Sequence, residues 1–318
     1  MKDTKIGFIG LGNVGSKLAN SILISGYNLY IYDLDKNKGN LLIKKGAKKL
    51  NSIKQLCKEC STIITCLPSV SSIQKIIEGK NGIYQYFTKN HLWIEMSTTN
   101  ESQMKRLAKK IESIGSDVLE SPVTGGAHRC EKGNIAVIAA GKKKAFDRSF
   151  PILSKIGYEI IHVGKIGNAS TLKVVTNYLA SINLVSLGEA LMVCKKYGLD
   201  LKTSFHAIKI SSGNSFVHET ESQLILNGSY NIDFTMDLAV KDIGLFNNLM
   251  NKYKIPGDLS PLLVKIFDKG IKKYGRRSWS TKIVKLLEDK CKTSLRTRGF
   301  PSKLVDKENR KDGIKIKY

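Results

Sequence analysis

Histidine and cysteine are scarce in this sequence, five and six residues in 318, and neither gathers into a ligand set. The scattered histidines suggest no metal cluster. Cys57 and Cys60 form a Cys-x-x-Cys pair within Ser52–Cys60, which reads as a short surface helix before a strand. With no second Cys/His pair at ligand spacing nearby, they read as incidental rather than as a redox pair or half a zinc site. No run of about 18 or more apolar residues occurs, so no membrane span is expected. The N-terminal Met1–Lys5 passes straight into a strand pattern with no apolar segment and small-residue cleavage site behind it. No signal peptide is read there, and a cytoplasmic protein is the default expectation. Acidic residues are also short, 27 against 52 Lys and Arg, for a net charge of +25. Such a surface attracts anions, whether phosphorylated cofactors, carboxylates or nucleic acid. The surplus is heaviest in residues 271–318, where 16 basic residues face 5 acidic ones, a net +11.

What is present is ordinary for a globular chain: 42% hydrophobic and 25% charged residues. The length favours two domains over one core. Lys5–Gly10 is a short apolar run ending in glycine, a buried strand. Val14–Ser25 follows with Val14, Leu18, Ile22 and Leu23 at helical spacing, and Gly26 ends it. Asn28–Tyr32 is a second strand. The alternation continues through strands at Ile63–Leu67, Leu92–Met96, Asp117–Glu120, Ile135–Ala140 and Glu159–His162, with helices near 37–45, 70–77 and 101–114. Alternation of this kind implies a parallel sheet covered by helices on both faces. Beyond Gly164 the pattern changes. Asn168–Tyr197 reads as one helix about 45 Å long, and helical segments run on to about Lys290 with no convincing strand. The expected plan is a dinucleotide-binding domain over 1–164 and a helical domain over 165–292, opened by the helix 168–197. Residues 293–318 lack periodicity and read as a loose basic tail.

Gly10-x-Gly12-x-x-Gly15 is weak evidence alone, but here it lies between a strand and a helix, with an acidic residue at Asp33. In that context Gly10, Leu11, Gly12, Asn13, Val14 and Gly15 read as a dinucleotide turn. The glycines allow the tight turn, close backbone approach to pyrophosphate and close helix packing, and the phosphates meet free N–H groups at the helix N-terminus. Asp33 would accept hydrogen bonds from the adenosine ribose and repel a 2′-phosphate, so NAD is expected rather than NADP. Lys36 and Lys38 lie close enough to soften that preference.

Four further segments stand in order along the chain. They are Ser121–Pro122–Val123–Thr124–Gly125–Gly126; Gly164-x-x-Gly167 followed by Lys173-x-x-x-Asn177; Gly228–Ser229–Tyr230–Asn231–Ile232–Asp233–Phe234; and Lys241–Asp242–Ile243–Gly244–Leu245. Together they resemble the β-hydroxyacid dehydrogenase family over about Ile6 to Glu288. The resemblance implies an α/β Rossmann-type N-terminal domain and an all-α C-terminal domain joined by a long interdomain helix. It implies a hydride transfer between NAD(P) and a small β-hydroxyacid or its semialdehyde, hence a small carboxylate substrate. It also implies a homodimer or homotetramer. It places the catalytic lysine on Lys173 and a supporting asparagine on Asn177, which at i and i+4 share a helix face. A buried ammonium there can donate a proton to a developing alkoxide and take it back in reverse. Thr124 with the N–H groups of Gly125 and Gly126 would bind the substrate carboxylate. Leu67, Pro68 and Thr98 would line the cofactor, and Lys241 would close over it.

The sequence departs from the family pattern in four places. Thr124 stands for a common serine, Glu120 for the aspartate that opens the substrate motif, Asn168 for a third glycine and Thr176 for the first of two asparagines. None removes a catalytic group, and together they suggest a divergent pocket that Phe216, His218 and Phe234 could shape. Two other readings compete. One is a protein that keeps the fold but binds nucleic acid through its basic surface; an intact Lys173/Asn177 pair argues against it. The other, reduction of a cyclic imine, is disfavoured by the lysine itself.

Overall fold

The computed structural model describes residues 4–318; the Met1–Asp3 part of the N-terminal reading lies outside the described residues. The chain divides into two compact units. One runs to Lys173 and takes in Asp306–Tyr318, and the other is Val174–Val305.

The first unit carries β1 (Lys5–Ile9), α1 (Asn13–Ile24), β2 (Asn28–Tyr32), α2 (Asn40–Lys44), β3 (Lys48–Lys49), α3 (Ile53–Glu59) and β4 (Thr62–Thr65). It continues through α4 (Val70–Glu78), β5 (Leu92–Glu95), α5 (Glu101–Glu112), β6 (Asp117–Glu120), β7 (Val123–Thr124) and α6 (Ala127–Lys132). It ends with β8 (Ile135–Gly141), α7 (Lys143–Leu153), β9 (Gly157–His162) and the start of α8 (Asn168–Tyr197). Side chains alternate between two apolar layers, as the period of two in a strand requires. Ile6 and Phe8 of β1, Ile64 of β4 and Ile94 of β5 enter the layer shared with Leu18 and Ile22 of α1. Ile9, Ile63 and Trp93 enter the other, with Met104 and Leu107 of α5. Both faces are buried, so these strands read as continuous apolar runs.

Six strands, in the order β3-β2-β1-β4-β5-β6, are parallel. The expected parallel sheet needs one correction beyond β6, because β8 joins β6 antiparallel. β7 follows β6 after two residues and folds back on β8 through Gly125–Gly126 and the six-residue α6. A hairpin-like return places an antiparallel neighbour, whereas a parallel one needs a longer crossover.

The second unit holds most of α8 with α9 (Leu201–Lys209), α10 (Phe216–Asn227), α11 (Met236–Lys252), α12 (Leu259–Tyr274) and α13 (Lys285–Cys291). Its core gathers Leu184, Leu187 and Leu191 of α8 with Ile225, Met236, Ile243, Leu263 and Phe267. α8 has the bounds read from the sequence. Its most apolar stretch has a mean hydropathy of 1.2, enough by length and composition to cross a membrane, and only a third of that stretch is buried.

The loose tail expected over 293–318 is also corrected. Leu295 is fully buried in the helical core, and Arg296 reaches Glu288 at 2.8 Å. Asp306–Tyr318 then returns to the first unit, where β10 (Ile314–Lys315) pairs in parallel with β9. Arg310 donates to the carbonyls of Ser21 and Lys155 and to Ser25 Oγ at 2.6–2.9 Å, and Asn134 donates to Asp306 at 2.9 Å. From Asp306 on, the segment shows no periodicity because strand pairing and polar side chains meeting backbone groups hold it, without an apolar face.

Candidate active site

Parallel strands bring the C-terminal ends of β1, β2, β4, β5 and β6 to one edge of the sheet, where open α/β sheets bind their ligands. The three turn glycines sit there for three separate reasons. Gly10 has φ +95°, and a methyl built on it would lie 2.3 Å from the Cys66 carbonyl oxygen. A methyl on Gly15 would lie 2.1 Å from the carbonyl oxygen of Gly10, so α1 can approach the turn only because no side chain intervenes. Gly12 is extended, φ −67° and ψ −169°, and a methyl there would meet nothing within 4 Å. That opening lies at the α1 N-terminus, and Gly12 brings no capping side chain. Sterics within the chain do not demand glycine at this position, and the opening leaves the backbone accessible to a ligand. The turn therefore fits a pyrophosphate.

Asp33 follows β2 directly. Its Oδ2 accepts the Leu11 N–H at 2.6 Å and its Oδ1 accepts the Asp35 N–H at 2.9 Å, which ties the acid to the glycine turn. Lys49 donates to the carbonyls of Lys36 and Lys38, so three lysines surround the loop after Asp33.

Leu67 and Pro68 follow β4 and Thr98 follows β5. A buried polar chain that the sequence reading missed holds them. The Leu67 N–H donates to Ser97 Oγ at 2.7 Å, and the Ser97 N–H donates to Glu95 Oε1 at 2.6 Å. Glu95 Oε2 accepts from Thr65 Oγ1 at 2.6 Å, which accepts from Trp93 Nε1 at 2.8 Å. Burial pushes the Glu95 carboxyl up to about 7 against these donors, with the Glu120 charge adding to the rise. The two acids are register partners on β5 and β6.

Beyond β6 lies the Thr124–Gly126 turn, in which Gly125 and Gly126 have φ of +113° and +90°. Glu120, just before it, reaches the start of α8. Its carboxylate accepts the N–H groups of Gly167, Ala169 and Ser170 and the Ser170 hydroxyl. These are amides that a helix leaves unpaired at its N-terminus. Lys173 comes one turn later and is 8% exposed.

In the second unit, Asn177 Nδ2 donates to Oδ2 of Asp242 at 2.5 Å. Lys241 Nζ lies 3.1 Å from Oδ1 of the same acid, an ion pair without hydrogen-bond geometry. Asp242 thus brings Asn177 and Lys241 together. The sequence showed Asp242 only as a member of the Lys241–Leu245 segment, without a role; its part emerges from the structure, where it is 2% exposed. Of the three residues offered as pocket-shaping, His218 is a core residue, 1% exposed and bonded through Nε2 to the Phe205 carbonyl. Phe234 is packed against the helical core and Phe216 is exposed. Cys57 and Cys60 are buried, which pushes both thiols up to about 12, far from the thiolate a redox pair needs.

Residues 5–164 match the family model described as the NAD-binding domain of 6-phosphogluconate dehydrogenase. Residues 167–287 match that described as the NAD-binding domain of NADP-dependent 3-hydroxyisobutyrate dehydrogenase. The chain is 30% identical over 270 residues to 2-(hydroxymethyl)glutarate dehydrogenase of Eubacterium barkeri, covering 85% of this chain and 90% of that one. It is 28% identical over 294 residues to the mouse mitochondrial 3-hydroxyisobutyrate dehydrogenase, covering 90% and 88%. In fold it is similar to the crystal structure of 3-hydroxyisobutyrate dehydrogenase from Salmonella typhimurium, with a TM-score of 0.79, 22% identity, and 89% and 100% of the two chains covered. The chain belongs to the β-hydroxyacid dehydrogenase family, NAD(P)-dependent oxidoreductases of hydroxyacids.

Proposed function

We propose that this enzyme prefers NAD and interconverts a small β-hydroxyacid and its semialdehyde, with Lys173 as the general acid–base. The observation that carries the reading is a lysine almost wholly buried, one turn into a helix whose start is tied to the strand leading into the Thr124–Gly126 turn. Bound nicotinamide supplies or accepts the hydride. In the reducing direction Lys173 Nζ gives a proton to the substrate oxygen, and in the oxidising direction it takes that proton back. Asn177, held by Asp242, supports the lysine from the next turn. Thr124 and the Gly125 and Gly126 N–H groups hold the carboxylate. Gly10–Gly15, Leu67, Pro68 and Thr98 hold the cofactor with Lys241.

Asp33 supports NAD, because a carboxylate set at the end of β2 accepts ribose hydroxyls and repels a 2′-phosphate. The description of the matched C-terminal segment names an NADP-dependent enzyme, and Lys36, Lys38 and Lys49 surround the same loop, so both cofactors belong in the assay. Leu179, Val193 and Tyr197 of α8 are 49%, 70% and 82% exposed. Apolar surface of this kind supports a homodimer or homotetramer, which sedimentation reads directly. Cytoplasmic residence is part of this reading, and fractionation of the native source tests it.

The test of the chemistry is turnover of 3-hydroxyisobutyrate, 2-(hydroxymethyl)glutarate and related β-hydroxyacids with NAD and with NADP. Lys173→Ala is expected to lower kcat by about 10²–10⁴-fold at unchanged cofactor affinity. Wild-type turnover by that variant refutes the assignment.

A further inference from the structure

The backbone of Glu120 opens the Ser121–Gly126 loop, and its side chain grips the helix that carries Lys173. Its main chain runs into Ser121–Gly126, and its carboxylate accepts four hydrogen bonds from Gly167, Ala169 and Ser170. No side chain at the helix start does this work: Gly167 has none, and the Asn168 amide turns away to the Val163 carbonyl at 2.7 Å. Ser170, Lys173 and Asn177 follow at spacings of three and four, one stripe along the helix. We propose that Glu120 is a positioning residue for catalysis: it fixes Lys173 relative to the carboxylate-binding turn and sets the charge at the helix end beside the lysine. The proposal rests on Lys173 being the acid–base.

Two physical effects follow. The first is geometric. Lys173 is one turn from the gripped amides, so loss of the grip moves the ammonium relative to the loop, and a displacement of about 1 Å can cost about 10²-fold in rate. The second is electrostatic. The N-terminus of a helix carries a partial positive charge that disfavours a neighbouring ammonium, and an anion there offsets it. All four contacts are donors to Glu120, which suits the ionised form. Burial pushes the Glu120 carboxyl up, and the four donors at the helix end oppose that rise. Glu95, beside it on β5, accepts fewer bonds and lacks the helix end, so of the two acids Glu120 is the better placed to carry the charge. Other charged or titratable groups near this site include Lys105 of α5, whose stem lies against Gly167, and Cys130 of α6, which senses the charges of Lys17, Lys173 and Glu131. Burial pushes that thiol up to about 12, so it stays neutral.

The experiment compares E120Q, E120D, S170A and K173A as full-length enzymes, with kcat, KM and the pH profile in the oxidising direction, cofactor affinity by NADH fluorescence, and a thermal melt. E120Q is expected to lower kcat about tenfold or more and to move the lysine limb about half a unit or more to lower pH, with cofactor affinity within about threefold. E120D keeps the charge on a shorter arm, so its limb returns to the wild-type position at an intermediate kcat. Wild-type kcat and limb in E120Q overturn the proposal, as does a pure loss of melting temperature shared by E120Q and E120D. Should E120Q not fold, E120D and S170A decide: each is expected to lower kcat about threefold or more, and wild-type kcat in both overturns the proposal. K173A separates the two readings. Full activity in K173A removes the acid–base assignment, whereas an inactive K173A beside an unaffected E120Q removes only the role of Glu120.

Discussion

Gly12→Ala should leave the protein as stable as before and cripple cofactor binding. The added methyl meets no atom within 4 Å, and φ −67° with ψ −169° suits any L-residue. Losing glycine's freedom in the unfolded chain then stabilises by about 0.4–1 kcal/mol, an upward shift of no more than about 2–4 °C for a unit of this size. The same methyl occupies the space through which a pyrophosphate approaches the first N–H groups of α1. A hydrogen bond to a charged group contributes about 1.5–3 kcal/mol, so losing one or two of them weakens binding about 10–10⁴-fold. Gly15→Ala is the control with the opposite signature. Its methyl would sit 2.1 Å from a backbone oxygen, and relieving such overpacking costs about 1–3 kcal/mol or more. Differential scanning fluorimetry without ligand and NADH fluorescence titration read the two effects separately. If Gly12→Ala melts several degrees lower, or binds NADH within twofold of wild type, the assignment of that opening to the pyrophosphate is wrong.

Two other perturbations test the first unit. Glu95 is raised from 4.5 to about 7 by burial, so its contribution to stability is full below about pH 4.5 and is lost as pH rises through about 7. A shift of that size corresponds to about 3 kcal/mol across the window. Urea unfolding at pH 5 and pH 8.5 is expected to show a shallower decline in E95Q than in wild type; equal declines exclude Glu95 as the source. Truncation after Val305 removes β10, Asp306 and the three bonds of Arg310, the last alone about 4–9 kcal/mol of charged contacts. A melting temperature lower by about 10 °C or more is expected, where a loose tail would leave it within about a degree.

The parts of this enzyme that were legible in the sequence are local. The glycine turn, Asp33 and α8 each announce themselves within one element, since a turn needs glycine where it bends and a helix repeats its apolar residues every three or four positions. The segments carrying Thr124, Lys173 and Lys241 could be read only as a set, by their order and spacing. What escaped is long-range. β6 shows an acid at its end, but whether Glu120 meets water or the first amides of α8 depends on a partner 47 to 50 residues away. The same holds for Glu95, whose burial is decided by β4 and β6 on either side. The C-terminal segment escaped for a related reason: Arg310 stabilises it by reaching Ser21, 289 residues earlier, and no periodicity records such a contact. A sequence read for function by its titratable residues therefore finds Lys173, the proposed proton carrier, sooner than Glu120, the acid proposed to hold it in place. A proton donor sits in a recognisable motif, whereas a buried carboxylate shows its role only once the donors that surround it are known.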